Sequence, residues 1–291
     1  MAFYNRGFAT LCKDESGWDA SQTLGTLYRI WVYKGFKRSY RLMRKVDLYR
    51  QVLKEIEDWD QYLLNESCLP GPRANLELIE AVAEEGTEER FMRYLSFDAE
   101  KAPFGSVSEF LPICGVVGLG SLISQGNMKH LGLLRAFASD IRWRIREGVA
   151  IALQRFGESN MDVLLNEMIE WAKGSLLEKR AVVAALCEPK LLKQPKEILS
   201  VLQILDKITQ DILNEGNRKD KDFKVLRKTL GYGWSVAVVP DPENGKKLME
   251  KWFVNEDKDI RWMMKENLRK KRLIRMDLDW TRTWKLNLGV E

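Results

Sequence analysis

Arginine next to tryptophan sets a planar cation that grips carboxylates or phosphates beside a broad face that can stack on a ring. In this chain the pairing occurs twice in the same words. Asp140-Ile141-Arg142-Trp143 leads into Arg144-Ile145-Arg146-Glu147, and Asp259-Ile260-Arg261-Trp262 leads into Met263-Met264-Lys265-Glu266. Other residues suited to chemistry are fewer. His130 is the single histidine, and no nucleophile-elbow signature accompanies it, so a Ser-His-Asp mechanism has no support. Gly115-Val116-Val117-Gly118-Leu119-Gly120 has neither a preceding strand nor a lysine-serine ending, which makes it a close-packing helix rather than a phosphate cradle. Asp257 and Asp259 lack the glycine and terminal glutamate of a calcium loop and read as a helix cap or repeat turn. No cofactor or metal ligand set is expected.

The elements that position these residues read as helices. Between Trp18 and about Leu64, Leu27, Ile30 and Trp31 and then Leu48, Val52, Leu53 and Ile56 recur at spacings of three and four, which predicts two or three helices. Leu69-Pro70-Gly71-Pro72-Arg73 is a break, after which Asn75 caps a helix carrying Leu76, Ile79 and Val82. Ala102 to Ser106 is a second loop, with Ser106 or Ser108 as a cap. A glycine-rich apolar helix follows. His130 to Ala138 then reads as an outer helix, Ser139-Asp140 as a turn, and Ile145 to Phe156 as an inner helix that Gly157 ends.

A second pair superposes on the first. Arg146-x-x-Val149-Ala150-x-Ala152-Leu153 matches Lys179-x-x-Val182-Val183-x-Ala185-Leu186, with Val163 to Trp171 as its outer helix. Further helices are expected over Ile198 to Ile208 and from Phe223 onward. Leu248, Trp252 and Phe253 prepare a last pair whose inner helix opens on the second Asp-Ile-Arg-Trp. Val236 to Val239 is the one run that also fits a strand.

Composition sets outer limits. The chain has 291 residues, is 45% hydrophobic and 31% charged with the signs interspersed, and so reads as a globular chain rather than a disordered one. No apolar stretch of membrane-spanning length is expected and the start lacks a signal peptide's apolar segment, so no membrane association and a cytoplasmic location are expected. Cys12, Cys68, Cys114 and Cys187 lie far apart and are expected to be small buried apolar residues. The net charge of +5 is unevenly spread. Lys34, Lys37, Arg38, Arg41, Arg44, Lys45 and Arg50 precede an acidic stretch from Glu77 to Glu89, and Arg269 to Arg275 form a second basic cluster.

The offsets of acid, aliphatic-arginine step, paired small residues and Ala-Leu resemble the HEAT repeat. Pro70-Gly71-Pro72-Arg73-Ala74-Asn75-Leu76, Arg142 to Glu147, and Leu230-Gly231-Tyr232-Gly233-Trp234-Ser235-Val236-Ala237 look like a bacterial family of HEAT-repeat proteins of unassigned function. That resemblance covers most of the chain from about Leu69. It implies an all-α superhelix, with 69–291 as the repeat solenoid, while residues 1–68 are read as an N-terminal helical cap or a separate helical module.

It implies a fold and little more, and repeat architecture without a catalytic constellation points to binding rather than catalysis. The expected function is a scaffold that binds a macromolecular partner, in the first instance a protein, on its concave inner helices. Candidate contact residues are Arg142, Trp143, Arg146, Arg180, Arg227, Lys228, Trp234, Arg261, Trp262 and Arg269. The alternative is DNA binding, or an alkylpurine DNA glycosylase on a similar scaffold, for which the repeat half offers bases and tryptophans. The tryptophan-tryptophan-aspartate cluster of those glycosylases is absent, so no catalytic aspartate carries over. Arg146 and Arg261 are also read as possible rungs of an inter-repeat ladder with neighbouring aspartates. Nothing in the sequence fixes an oligomeric state.

Overall fold

Helix caps write most of the element boundaries. In the computed structural model, which describes residues 44–290, Asp58, Asn75, Thr87, Asn160, Ser175, Asp220, Asp241, Asp257 and Asp277 each accept a main-chain N–H at a helix start. Pro195 and Pro242 open two helices, where the missing N–H costs nothing. The described residues contain fifteen α-helices and no strand. Val236 and Ala237, in the run that also fitted a strand, end a helix instead.

The chain divides into two compact units, Met1–Gly118 and Leu119–Glu291. The first unit holds α1 (Lys45–Glu55), α2 (Trp59–Glu66), α3 (Leu76–Glu85), α4 (Glu88–Leu95) and most of α5 (Phe110–Ser124). In it α1 and α3 lie on each other across the proline break. Arg50 reaches Glu84 at 2.9 Å and Glu85 at 2.6 Å, and Asn75 Nδ2 donates to Tyr49 Oη at 2.9 Å. Part of the basic stretch and part of the acidic one are therefore each other's partners. The expected helix around Leu27 to Trp31, and the cations Lys34, Lys37, Arg38 and Arg41, lie outside the described residues.

Val107–Ser124 has a mean hydropathy of 1.6 over 18 residues, so a stretch of membrane-spanning length does exist; it is 78% buried within the fold. Gly118 belongs to the close-packed helix foreseen, since a methyl group there would meet the Phe91 ring at 2.3 Å.

In the second unit, α6 (Leu131–Phe137), α7 (Trp143–Ser159), α8 (Met161–Trp171), α9 (Leu176–Leu186), α10 (Pro195–Ile212), α11 (Lys221–Ala237), α12 (Pro242–Phe253), α13 (Lys258–Leu268), α14 (Lys271–Met276) and α15 (Leu278–Leu288) follow in order. Alternate helices pack in file: α7 on α9, α9 on α11 and α11 on α13, with α8 on α10 and α10 on α12 as the second file. Each helix buries an apolar stripe against its neighbours. In α10 that stripe is Ile198, Val201, Leu202, Leu205, Ile208 and Ile212. Burial of one such side chain contributes about 2 kcal/mol, which no helix pair collects alone.

Two glycines set the spacing of the first file. A methyl group on Gly233 would come within 2.7 Å of Val183 on α9, and one on Gly231 within 3.3 Å of Trp262 on α13. Gly157 was expected to end its helix, but α7 runs on to Ser159. Leu164 and Leu191 press against this glycine, so it serves packing and not termination.

The cysteines divide. Cys114 and Cys187 are free and buried, and burial pushes both thiols up. Cys68 instead is half-buried and disulfide-bonded, which corrects the expectation for it. Cys12 lies outside the described residues.

Candidate functional site

The two Asp-Ile-Arg-Trp copies open helices of the same file in different registers. In the first copy Arg142 is the N-cap of α7, with extended backbone at φ −80 and ψ 117. Alternation therefore turns Ile141 and Trp143 outward, 73% and 40% exposed, and Arg142 inward, 2% exposed. In the second copy Asp257 is the N-cap and the phrase is already helical. Asp259 and Ile260 are buried there, while Arg261 and Trp262 face outward and are half-exposed. The isoleucine and the arginine thus exchange sides between the copies, while the tryptophan faces outward in both.

Buried Arg142 pairs with the aspartate of its own phrase: Nε lies 3.0 Å from Asp140 Oδ1 and Nη2 2.8 Å from Oδ2. Arg146 donates from Nη1 to the carbonyls of Asp140 and Ile141 and so closes the turn before α7. Burial and the neighbouring Arg180 charge lower its pKa from the ordinary arginine value. Arg180, 4% exposed, donates to the Arg146 carbonyl at 2.9 Å and pairs with the Glu147 carboxylate, tying α9 to α7. Trp234 is fully buried and donates from Nε1 to Thr209 Oγ1 at 3.0 Å. Arg142, Arg180 and Trp234, nominated as contact residues, are thus internal struts.

The other nominees stay accessible. Trp143 carries the Arg144 guanidinium 4.7 Å above its ring. Lys228 and Arg261 make no ion pair or hydrogen bond among the described residues. Arg269 is exposed and pairs with Glu266 one turn back. Arg227 and Trp262 meet: the guanidinium lies 4.3 Å over the indole, and Nη1 reaches Asp259 Oδ1 at 2.5 Å.

That contact is part of an open cavity of about 410 Å³ lined by Arg218, Lys219, Arg227, Lys258, Asp259 and Trp262. Arg218 anchors its floor. Its Nη1 contacts Asp257 Oδ2 at 2.5 Å and Asp259 Oδ2 at 3.2 Å, its Nη2 donates to the carbonyls of Ile212 and Leu213, and its Nε donates to that of Glu215. The Asp257 hydrogen bond raises the Arg218 pKa. Burial alone would raise the Asp257 carboxyl, but Arg218 and the Ile260 and Asp259 amides outweigh it and hold it below the usual range. Asp259 is 4% exposed, with one oxygen on each arginine.

Several decisive residues escaped sequence reading. Arg218 and Lys219 sit in what reads as a polar loop, and Lys258 in an unremarked helix start. Asn267 is fully buried: Nδ2 donates to the Leu230 and Met263 carbonyls and Oδ1 accepts from Ser235 N, all at 2.8 Å, which fastens α13 to α11. A polar residue at a core position of the Met263, Met264, Leu268 stripe was the available signal. The ladder role expected of Arg146 and Arg261 falls to Arg180, Lys179 (2.8 Å from Asp211), Arg218 and Arg227. Among the described residues, no three His, Cys, Asp or Glu side chains converge as a metal site.

No protein family, no curated protein and no solved structure matches this chain.

Proposed function

We propose that this chain is a non-catalytic, HEAT-like α-solenoid that binds a protein partner with an acidic face through the file α7, α9, α11 and α13. The observation that carries the reading is a charge asymmetry on that file. Most of its acids are paired, Glu147 with Arg180, Glu178 with Arg135, Asp259 with Arg218 and Arg227, and Glu266 with Arg269, while Asp222 carries no ion pair among the described residues. Lys219, Lys228, Lys258 and Arg261 carry no ion pair among the described residues. A surface of uncommitted cations favours an anionic partner and steers its approach.

DNA binding is the second reading, favoured by Trp262 standing beside Arg227 and the two lysines in one cavity. The glycosylase form of that reading is weaker. Such an enzyme presents a carboxylate to the sugar of an extruded nucleotide, whereas Asp259, the carboxylate of this cavity, has both oxygens bound to arginines.

Titration of the protein with duplex DNA at two salt concentrations separates the readings. No binding at low salt supports the protein-partner reading. A binding constant that falls steeply with salt replaces it with the nucleic-acid reading, after which release of alkylated bases is assayed.

A further inference from the structure

We propose that the cavity between α11 and α13 is a receptor for a phosphomonoester group carried by the partner, a proposal that rests on the partner-binding reading above. Its chemistry follows from which cavity charges are already spent. Arg218 uses all five N–H donors on Asp257, Asp259 and three main-chain carbonyls, so it braces the site and offers nothing to a ligand. Asp257 and Asp259 together cancel Arg218 and Arg227. Lys219 and Lys258 remain, both exposed and both without an ion pair among the described residues. Two uncancelled positive charges match the roughly −1.5 to −2 of a phosphomonoester near neutral pH.

Donor geometry points the same way. Arg227 is fixed from two sides, by Asp259 at 2.5 Å through Nη1 and by the Trp262 ring at 4.3 Å, which leaves Nη2 unengaged, while Nε is buried. A preset guanidinium with unspent donors is how proteins hold tetrahedral oxyanions. Three donor groups around one bowl suit three terminal oxygens, where a carboxylate offers two. Lys219, Arg227 and Lys258 gather in this one cavity, which suits a single monoester. Trp262 supplies an apolar wall for the atoms that carry the phosphate.

The test uses O-phosphoserine as the probe at constant ionic strength, with the side-chain NMR signal of Trp262 identified through W262F. The expected result is a saturable shift that serine and glutamate do not produce. The midpoint should tighten as pH rises through about 6, where the second phosphate proton leaves. The double variant K219Q/K258Q changes only exposed side chains and should bind roughly tenfold more weakly or worse. An equal shift with glutamate, or an undiminished one in the double variant, overturns the proposal. A short duplex DNA that binds this site while O-phosphoserine does not also overturns it and leaves a diester as the occupant. The protein-partner reading fails separately, on the salt titration with DNA, whatever O-phosphoserine does.

Discussion

Arg180 on α9 donates a 2.9 Å hydrogen bond to the main-chain carbonyl of Arg146 on α7, while its other terminal nitrogen takes the Glu147 carboxylate. One buried guanidinium therefore grips both the backbone and a side chain of the preceding helix in the file. Arg180 is 4% exposed, so a partner removed here leaves a charge that water cannot reach. E147A, which strands that guanidinium, should cost about 3 kcal/mol of stability, read from urea unfolding, and R180A less, because the Glu147 it leaves is 27% exposed. A cycle of the two variants should give a coupling of about 1 kcal/mol or more; additive losses would show that the pair does not hold α9 to α7.

Asp259 should matter more than its counterpart arginine. D259A takes the carboxylate from Arg227 and one of two from Arg218, which keeps Asp257, and should destabilise by about 2 kcal/mol. R261A removes no ion pair or side-chain hydrogen bond among the described residues and should stay within about 0.5 kcal/mol of the parent while weakening partner binding. R146A removes the guanidinium that closes the Asp140 turn and should cost about 1 kcal/mol. Melting R146A and R261A side by side checks the contrast; equal losses would refute the different settings of the two phrases.

Glycine substitutions should split by environment. G233A drives a methyl group to 2.7 Å from Val183 and 3.1 Å from Cys187, so overpacking should cost about 1–3 kcal/mol. Gly132 lies exposed in α6 with nothing within 4 Å of an added methyl group. G132A should raise stability by about 0.5–1 kcal/mol, through the entropy of the unfolded chain. Thermal midpoints of the two variants should move in opposite directions.

Stability should depend on pH with two opposing signs. Arg218 and the amides of α13 hold the Asp257 carboxyl low. Its contribution is complete above the unfolded carboxylate pKa and is lost as pH falls through the lowered folded value. Glu66 is the reverse, since burial raises its carboxyl. Its contribution is complete below the unfolded value and is lost as pH rises through the raised one. E66Q should therefore raise the melting temperature at neutral pH and leave it nearly unchanged in acid. D257N should flatten the acid limb instead. An E66Q effect that is the same at both pH values would show that the carboxyl is not desolvated.

Helices, caps and breaks were legible in residue order because they are local. Asn75 caps α3, Pro195 opens α10, and the Arg146 and Lys179 offsets each lie four residues into α7 and α9, since a periodic stripe and a capping side chain act within a few positions of themselves. What each arginine faces was not legible. Arg142 and Arg261 stand third in identical phrases, yet one is buried on Asp140 and the other is half-exposed with no ion pair. An extended cap turns side chains with a period of two and a helix with a period of 3.6, and only the folded register decides which applies. The cavity depends on that decision, because Arg218 and Asp259 meet across forty-one positions of chain. Contacts at that separation belong to packing, and no local pattern encodes them.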